Sequence, residues 1–233
     1  YEVFDRIFKR DSTNFYWNKQ YAFCAYQLQE MLKAADLYEK VLEANPRDYT
    51  SYFNLIKVYN QMPPTGKILV TINRGLENFP GNAGFYEEQA NYYTGTKQYK
   101  EARIAFENYF TAGGDSIFRN LLNYGVSLYF QKDEKKSIEI LDICSSQVAN
   151  DPYVLFYLSL NYKRLAKYEL SEAFMNAAIE SATPSYLPDM YHHLGQILGQ
   201  QRKFEESIQA LKEANNLDPE NPEILFEIAT TFE

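Results

Sequence analysis

The chain has 233 residues and is 45% hydrophobic and 16% aromatic, with only 10 glycines and 9 prolines, which excludes a disordered or collagenous polymer. A net charge of -8 works against sequence-independent attraction to phosphate backbones or anionic lipid, so no nucleic-acid partner is expected. The longest apolar runs, Tyr153 to Leu158 among them, are far shorter than the roughly 18 to 20 residues that span a bilayer, and Cys24 and Cys144 form neither a disulfide framework nor a C-x-x-C motif.

In chain order, residues 1 to 14 read as a lone helix, with Phe4 and Ile7 in apolar slots and Asp11 near its stop. From there a period near 34 residues sets in, with repeat starts at Phe15, Tyr49, Ala83, Phe118, Pro152, Pro188 and Pro222. The period indicates a stacked solenoid, and, in the two-helix register that the resemblance named below implies, small residues recur in both helices. The first carries a small residue in mid-helix: Ala22, Ala90, Gly125, Ser159, Gly195 and Ala229, with Ile56 departing. The second carries Ala34, Ala102, Ser137, Ser171 and Ser207, and Ile68 departs in the same repeat. Close approach of two helices needs small side chains at the crossing, so one atypical interface is expected in the second repeat. The large apolar slots of first and second helices are filled throughout, from Tyr21 and Tyr38 to Leu225 and Phe232, with Asn18, Ala25 and Gln89 as the exceptions. Trp17 is placed to supply the bulk missing at Asn18 by packing on the preceding helix. Pro46, Pro80, Pro184 and Pro219 close repeats where a missing N–H cannot continue a helix. Pro63 and Pro64 fall in the turn between the helices of the second repeat, and the fifth repeat carries a two-residue insertion around Ala182 to Pro188. Both read as bent or widened turns.

These small and bulky positions carry a resemblance. The pattern is similar to the tetratricopeptide repeat, W-x2-L-G-x2-Y, then A-x3-F, then P, and it runs the length of the chain. The resemblance implies an all-α, right-handed superhelical solenoid of antiparallel helix pairs in a single array over 1–233. In that register 1–14 is the second helix of a preceding repeat and 222–233 the first helix of a following one. Arrays end in caps with a polar outer face, whereas Leu225, Ile228, Ala229 and Phe232 keep the interior pattern. The expectation is a piece of a larger protein, whose uncovered end helices could also pair with a second copy.

Members of this family bind peptide segments or partner helices in a concave groove lined by first helices. The groove-facing slots include Tyr16, Lys19, Phe23 and Tyr26; Phe53, Lys57 and Asn60; Asn91; Arg119 and Tyr129; Phe156, Lys163 and Arg164; and His192. Aromatics give contact area at low rotamer cost, and Lys and Arg fix an acidic group by charge-assisted bonds, so an acidic, aromatic-containing peptide suits the face. Asn54, Asn91 and Asn123 lie near successive groove turns and are placed to bond a peptide backbone. The family's carboxylate clamp is not matched: Lys19 fits its first slot, but Phe23 replaces the Asn, and Ala83 to Gly95 contains no Lys or Arg.

Catalytic motifs are wanting. Gly66-Lys67 lacks the other residues of a P-loop and reads as a helix start, and neither G-x-S-x-G nor H-E-x-x-H occurs. His192 and His193 are neighbours about 100° apart on a helix, so they cannot share a metal as an i, i+4 pair does. No metal or cofactor is expected, and the chain is read as no enzyme. The functional expectation is a non-catalytic protein–protein interaction scaffold that assists complex assembly; the alternative is a regulatory or targeting arm of an enzyme whose catalytic domain lies outside this chain. Tyr, Asn and Lys usage points to an AT-rich bacterial source, with the compartment, cytoplasmic or periplasmic, open.

Overall fold

A computed structural model describes residues 2–10, 14–64 and 66–231, with the backbone alone at 7–10. The expectations placed on the Ile7 side chain, Asp11 and Phe232 therefore lie outside the described residues. Among the described residues the secondary structure is all helical, with no strand. They divide into two compact units, Tyr1–Asp115 and Ser116–Glu233.

The first unit holds α1 (Glu2–Arg10), α2 (Phe15–Gln27), α3 (Met31–Ala44), α4 (Tyr49–Asn60), α5 (Lys67–Asn78), α6 (Ala83–Gly95) and α7 (Tyr99–Thr111). The second holds α8 (Phe118–Phe130), α9 (Glu134–Gln147), α10 (Pro152–Arg164), α11 (Tyr168–Ser181), α12 (Leu187–Gln200), α13 (Phe204–Leu217) and α14 (Pro222–Thr231). A short 3-10 turn, Pro184–Tyr186, precedes α12, absorbing the insertion read in the sequence and starting that helix at Leu187. Successive helices pair as α2 with α3, α4 with α5 and α6 with α7, then α8 with α9, α10 with α11 and α12 with α13. This is an all-α repeat fold of helix pairs joined by short turns.

Local chemistry starts several helices. Asn14, Asp48, Asn82 and Asp151 accept backbone N–H bonds from Trp17, Ser51, Phe85, and both Tyr153 and Val154, at 3.0–3.3 Å, each satisfying orphan donors of a first turn. Five of the six intra-pair turns are three residues long and share one geometry. Gln29, Lys97, Lys132, Ala166 and Arg202 sit at φ between 57° and 62°. The next residue's N–H then reaches back five positions: Glu30 to Ala25 O, Gln98 to Tyr93 O, Asp133 to Leu128 O, Lys167 to Tyr162 O and Lys203 to Leu198 O, at 2.8–3.1 Å. This is the Schellman closure, which satisfies a helix-end carbonyl in a left-handed turn.

The sixth turn, between α4 and α5, cannot form it. Thirty-four residues on from Gln29 and Glu30 stand Pro63 and Pro64. Pro63 is locked at negative φ, and Pro64 has no N–H to give to Tyr59 O. The connection lengthens accordingly, from Asn60 to Lys67, and α4 and α5 pack less closely than the other pairs. Ile56 and Ile68 stand where the other pairs have small residues, Ile56 buried and Ile68 only partly so. The expected atypical interface is present, and the turn explains it as much as the two isoleucines do.

Elsewhere the small slots close tightly. Ala22, Ala34, Ala90 and Ala102 are fully buried. In the second unit the same slots carry hydrogen bonds: Ser137 Oγ donates to Gly125 O at 2.8 Å, Ser207 Oγ to Gly195 O at 2.7 Å, and Ser159 and Ser171 donate to each other's carbonyls at 2.7 and 2.8 Å. A Cβ on Gly195 would lie 2.6 Å from Leu211 Cγ, so only glycine admits this approach. Asn161 Nδ2 bonds Ser137 Oγ at 2.9 Å, tying α10 to α9.

The first unit has an aromatic centre instead. Phe85 is fully buried, stacked on Phe53 at 4.6 Å and on Phe79 at 6.0 Å, with the edges of Tyr49 and Tyr52 each at 5.6 Å. Gly75 makes room for it, since a Cβ there would lie 2.4 Å from the Phe85 ring. Trp17 meets Phe4 of α1 with ring centroids 6.1 Å apart, the packing expected of it beside Asn18.

Candidate functional site

First-helix side chains in each unit differ sharply in whether their polar groups are already used. In the first unit, Lys19 Nζ bonds both Asp48 oxygens at 2.8 Å and Thr50 Oγ1 at 2.9 Å. Burial pushes the Asp48 carboxyl up, but the bonds from Lys19, the Ser51 N–H and Thr50 outweigh it and hold the group below its usual range. Lys19 is thus a brace between α2 and the cap of α4. Phe53 is committed to the aromatic centre, and Tyr26 Oη accepts a bond from Gln61 Nε2 at 2.7 Å. Tyr16 and Phe23 are about half exposed, at 53% and 50%. Lys57 is exposed and makes no bond or ion pair among the described residues. Asn54, near a groove turn by its spacing, lies beside the Tyr38 phenol, whose pKa burial raises to about 12 against a partial offset from Asn54.

Asn60 and Asn91 are brought together as walls of one cavity of about 480 Å³, opened by the irregular α4–α5 turn. Its apolar lining includes Tyr59, Met62, Pro64, Ile68 and Tyr92. In the sequence this turn reads as geometry alone, and nothing in its composition signals a cavity.

In the second unit the side chains of α10 and α12 converge. Tyr129, Lys163 and Arg164 line a cavity of about 280 Å³ together with Tyr168, His193 and Gln200. A second cavity of about 350 Å³, reached past Gln196, Glu227 and Thr230, shares Lys163 and Gln200 with the first. The Arg164 guanidinium lies over the Tyr129 ring at 3.7 Å, donates to Tyr129 O and stands 3.8 Å from Glu134. Lys163 is different. Its Nζ donates to Gln196 Oε1 at 2.5 Å and has no carboxylate within ion-pair distance among the described residues. Burial lowers its pKa, against a partial offset from the more distant Glu227.

Gln196 is the hub of this group. Its Oε1 also lies 3.2 Å from His193 Nδ1, and its Nε2 donates to Glu227 Oε1 at 2.6 Å. His192 Nε2 is 3.0 Å from Glu227 Oε2. Burial, with repulsion from Lys163 and His192, depresses His193 to a pKa of about 4, so it is neutral near pH 7. Phe156 packs on the His193 ring at 5.5 Å, while Arg119 is exposed on the first turn of α8. Tyr168 and His193 fall outside the groove-facing slots of the sequence. Tyr168 opens a second helix and His193 sits one residue off the slot occupied by His192, so neither carried a periodic signal.

No group of three or more side chains suited to a metal ion lies together among the described residues. None of their helices is long and apolar enough to cross a membrane. Cys24 and Cys144 are free thiols, and burial raises the Cys144 thiol to about 12.

Residues 188–221 match the family model described as tetratricopeptide repeat. No curated protein matches the chain in sequence. Among solved structures, the chain is similar to the C-terminal part of a TPR repeat-containing protein from Cytophaga hutchinsonii, with a TM-score of 0.72 at 15% identity over 96% of this chain and 91% of that one. It is similar to PilW, described as a widely conserved type IV pilus biogenesis factor, with a TM-score of 0.66 at 12% identity, covering 92% and 98%. A further likeness is to YrrB, described as a TPR protein with an unusual peptide-binding site, with a TM-score of 0.52 at 16% identity, covering 96% of each chain. At such identities the likeness speaks for the fold.

Proposed function

We propose, from the premise that this chain is a tetratricopeptide repeat array, that its first helices capture a segment of another protein and so assist the assembly of a complex. Proteins of this fold are in general protein-interaction scaffolds, and YrrB, to which the chain is similar, is described by a peptide-binding site. The observation that carries the reading is Lys163. A half-buried ammonium with one hydrogen-bond acceptor keeps unused donors facing two cavities, and a carboxylate entering there gains a charge-assisted bond in surroundings of lowered dielectric. Tyr129 and Tyr168 flank the opening and offer rings to a neighbouring aromatic residue. The partner segment is therefore acidic, with an aromatic residue beside its carboxylate.

The test compares short immobilised peptides with a Glu–Tyr core against matched peptides with a Gln–Tyr core. The chain should prefer the Glu members by about tenfold, a difference of about 1.4 kcal/mol, and Lys163→Met should erase the preference while thermal unfolding stays close to wild type. Equal binding of both peptide sets, or a preference that survives Lys163→Met, rejects the assignment. Arg164 is a poorer site for the test, because its guanidinium is stacked on Tyr129 and its loss disturbs packing as well as charge.

A further inference from the structure

The cavity at the α4–α5 turn is built from features that depart from the rest of the chain together. Two prolines exclude the left-handed closure used by the other five turns. Two isoleucines replace the small residues at the crossing, and the loosened pair leaves about 480 Å³ between the end of α4, the start of α5 and the second half of α6. That volume is within the range of about 300–1,000 Å³ typical of ligand sites. Its walls are mostly apolar, and its mouth lies among exposed Asn60, Pro64, Gly66, Gly95 and Thr96. A Cβ at Gly66 or Gly95 would meet nothing within 4 Å, so both glycines border open space. Asn60 and Asn91 make no side-chain hydrogen bond among the described residues, which leaves two amides, each with donors and an acceptor, on the same walls. Among the described lining residues the only carboxylate is Glu88, and none is cationic.

We infer that this cavity receives one large apolar side chain of an extended segment of a partner protein, with Asn60 and Asn91 bonding the peptide groups on either side of that residue. The chemistry selects this occupant. Burying an apolar side chain against Met62, Pro64, Ile68 and Tyr92 removes apolar surface from water on both partners. The flanking amides match the alternating N–H and C=O groups of a backbone, which have to be satisfied when the side chain between them is buried. The lining itself offers a carboxylate no cation of the kind that Lys163 supplies at the other site, so an apolar anchor is the better match. The inference rests on the reading of the chain as a protein-interaction scaffold, but it uses the other compact unit and other residues.

The experiment selects binders from a displayed library of random short peptides using the whole chain. Enriched peptides should share one Leu, Met, Phe or Trp at a fixed position, and a synthetic peptide of that sequence should lose binding by about tenfold or more when its apolar residue is changed to Ala. Gly95→Leu places a side chain at the mouth in a helix that tolerates it. That variant and Asn91→Ala should each weaken the same peptide by about tenfold, with helix content and unfolding midpoint unchanged, whereas Lys163→Met should leave it alone. Peptides without an apolar anchor, unchanged affinity for Gly95→Leu, or enrichment of none while a small hydrophobic dye binds in a Gly95-sensitive way would each overturn the inference. Loss of the Glu–Tyr preference in the test of Lys163 bears on that site alone.

Discussion

The two compact units fill the same structural slot with different chemistry. In Tyr1–Asp115 the helix pairs α2–α3 and α6–α7 meet on alanines, α4–α5 has isoleucines in those slots, and Phe85 and Tyr52 are buried within a cluster of rings. In Ser116–Glu233 every pair crosses where a serine hydroxyl donates to a carbonyl of the partner helix. A methyl group allows proximity and nothing more. A hydroxyl in the same volume also fixes the rotation of one helix against the other, because its bond is directional. The unit without such bonds is the one that holds the loosely packed pair, α4–α5.

The comparison is broken most directly at Phe85. Phe85→Ala removes the shared partner of four rings and should cost about 3–5 kcal/mol, seen as a lower urea midpoint in the fluorescence of Trp17, the chain's single tryptophan. A loss under about 1 kcal/mol would mean that the aromatic centre is not what holds the first unit.

Acidification probes the second unit. The folded-state pKa of His193 is about 4, below its free value of 6.5, so the unfolded chain takes up the proton first and stability is lost as pH falls from about 6.5 to 4. The groups facing it are Lys163, His192, Gln196 and Glu227. The loss contributed by this residue reaches up to about 3 kcal/mol, and His193→Gln should flatten the slope of midpoint against pH in that window. An unchanged slope would remove His193 as its source.

The smallest effect is expected at the serine crossings. Ser171→Ala deprives Ser159 O of its donor in a fully buried place and should cost about 1–2 kcal/mol. Faster hydrogen exchange should follow in α10 and α11. If Ala34, in the corresponding slot of the first unit, accepts Ser with a gain of similar size, the difference between the units is one of composition only.

Much of this fold was legible because its determinants are local and periodic. The 34-residue beat of small and bulky residues foretold helix pairs, and the paired exceptions Ile56 and Ile68 foretold one loose interface. The five left-handed turn residues were not legible. Gln29, Lys97, Lys132, Ala166 and Arg202 have no chemistry in common, and their conformation is imposed by the two helices they join. Only the sixth position betrays the rule, since proline cannot obey it. The candidate sites were legible by residue type and not by state. Lys19 and Lys163 look alike in the sequence, yet Lys19 is spent on Asp48, 29 residues away, and Lys163 bonds the neutral amide of Gln196, 33 residues away.

The sequence by itself determined that this chain would form stacked helix pairs, because hydrophobic periodicity and small-residue spacing act within and between neighbouring helices. Which cations and amides remain unsatisfied, and where a cavity opens, was decided by tertiary structure alone. Those outcomes depend on the distance and rotation between helices about thirty residues apart, where a shift of one ångström makes or breaks a hydrogen bond.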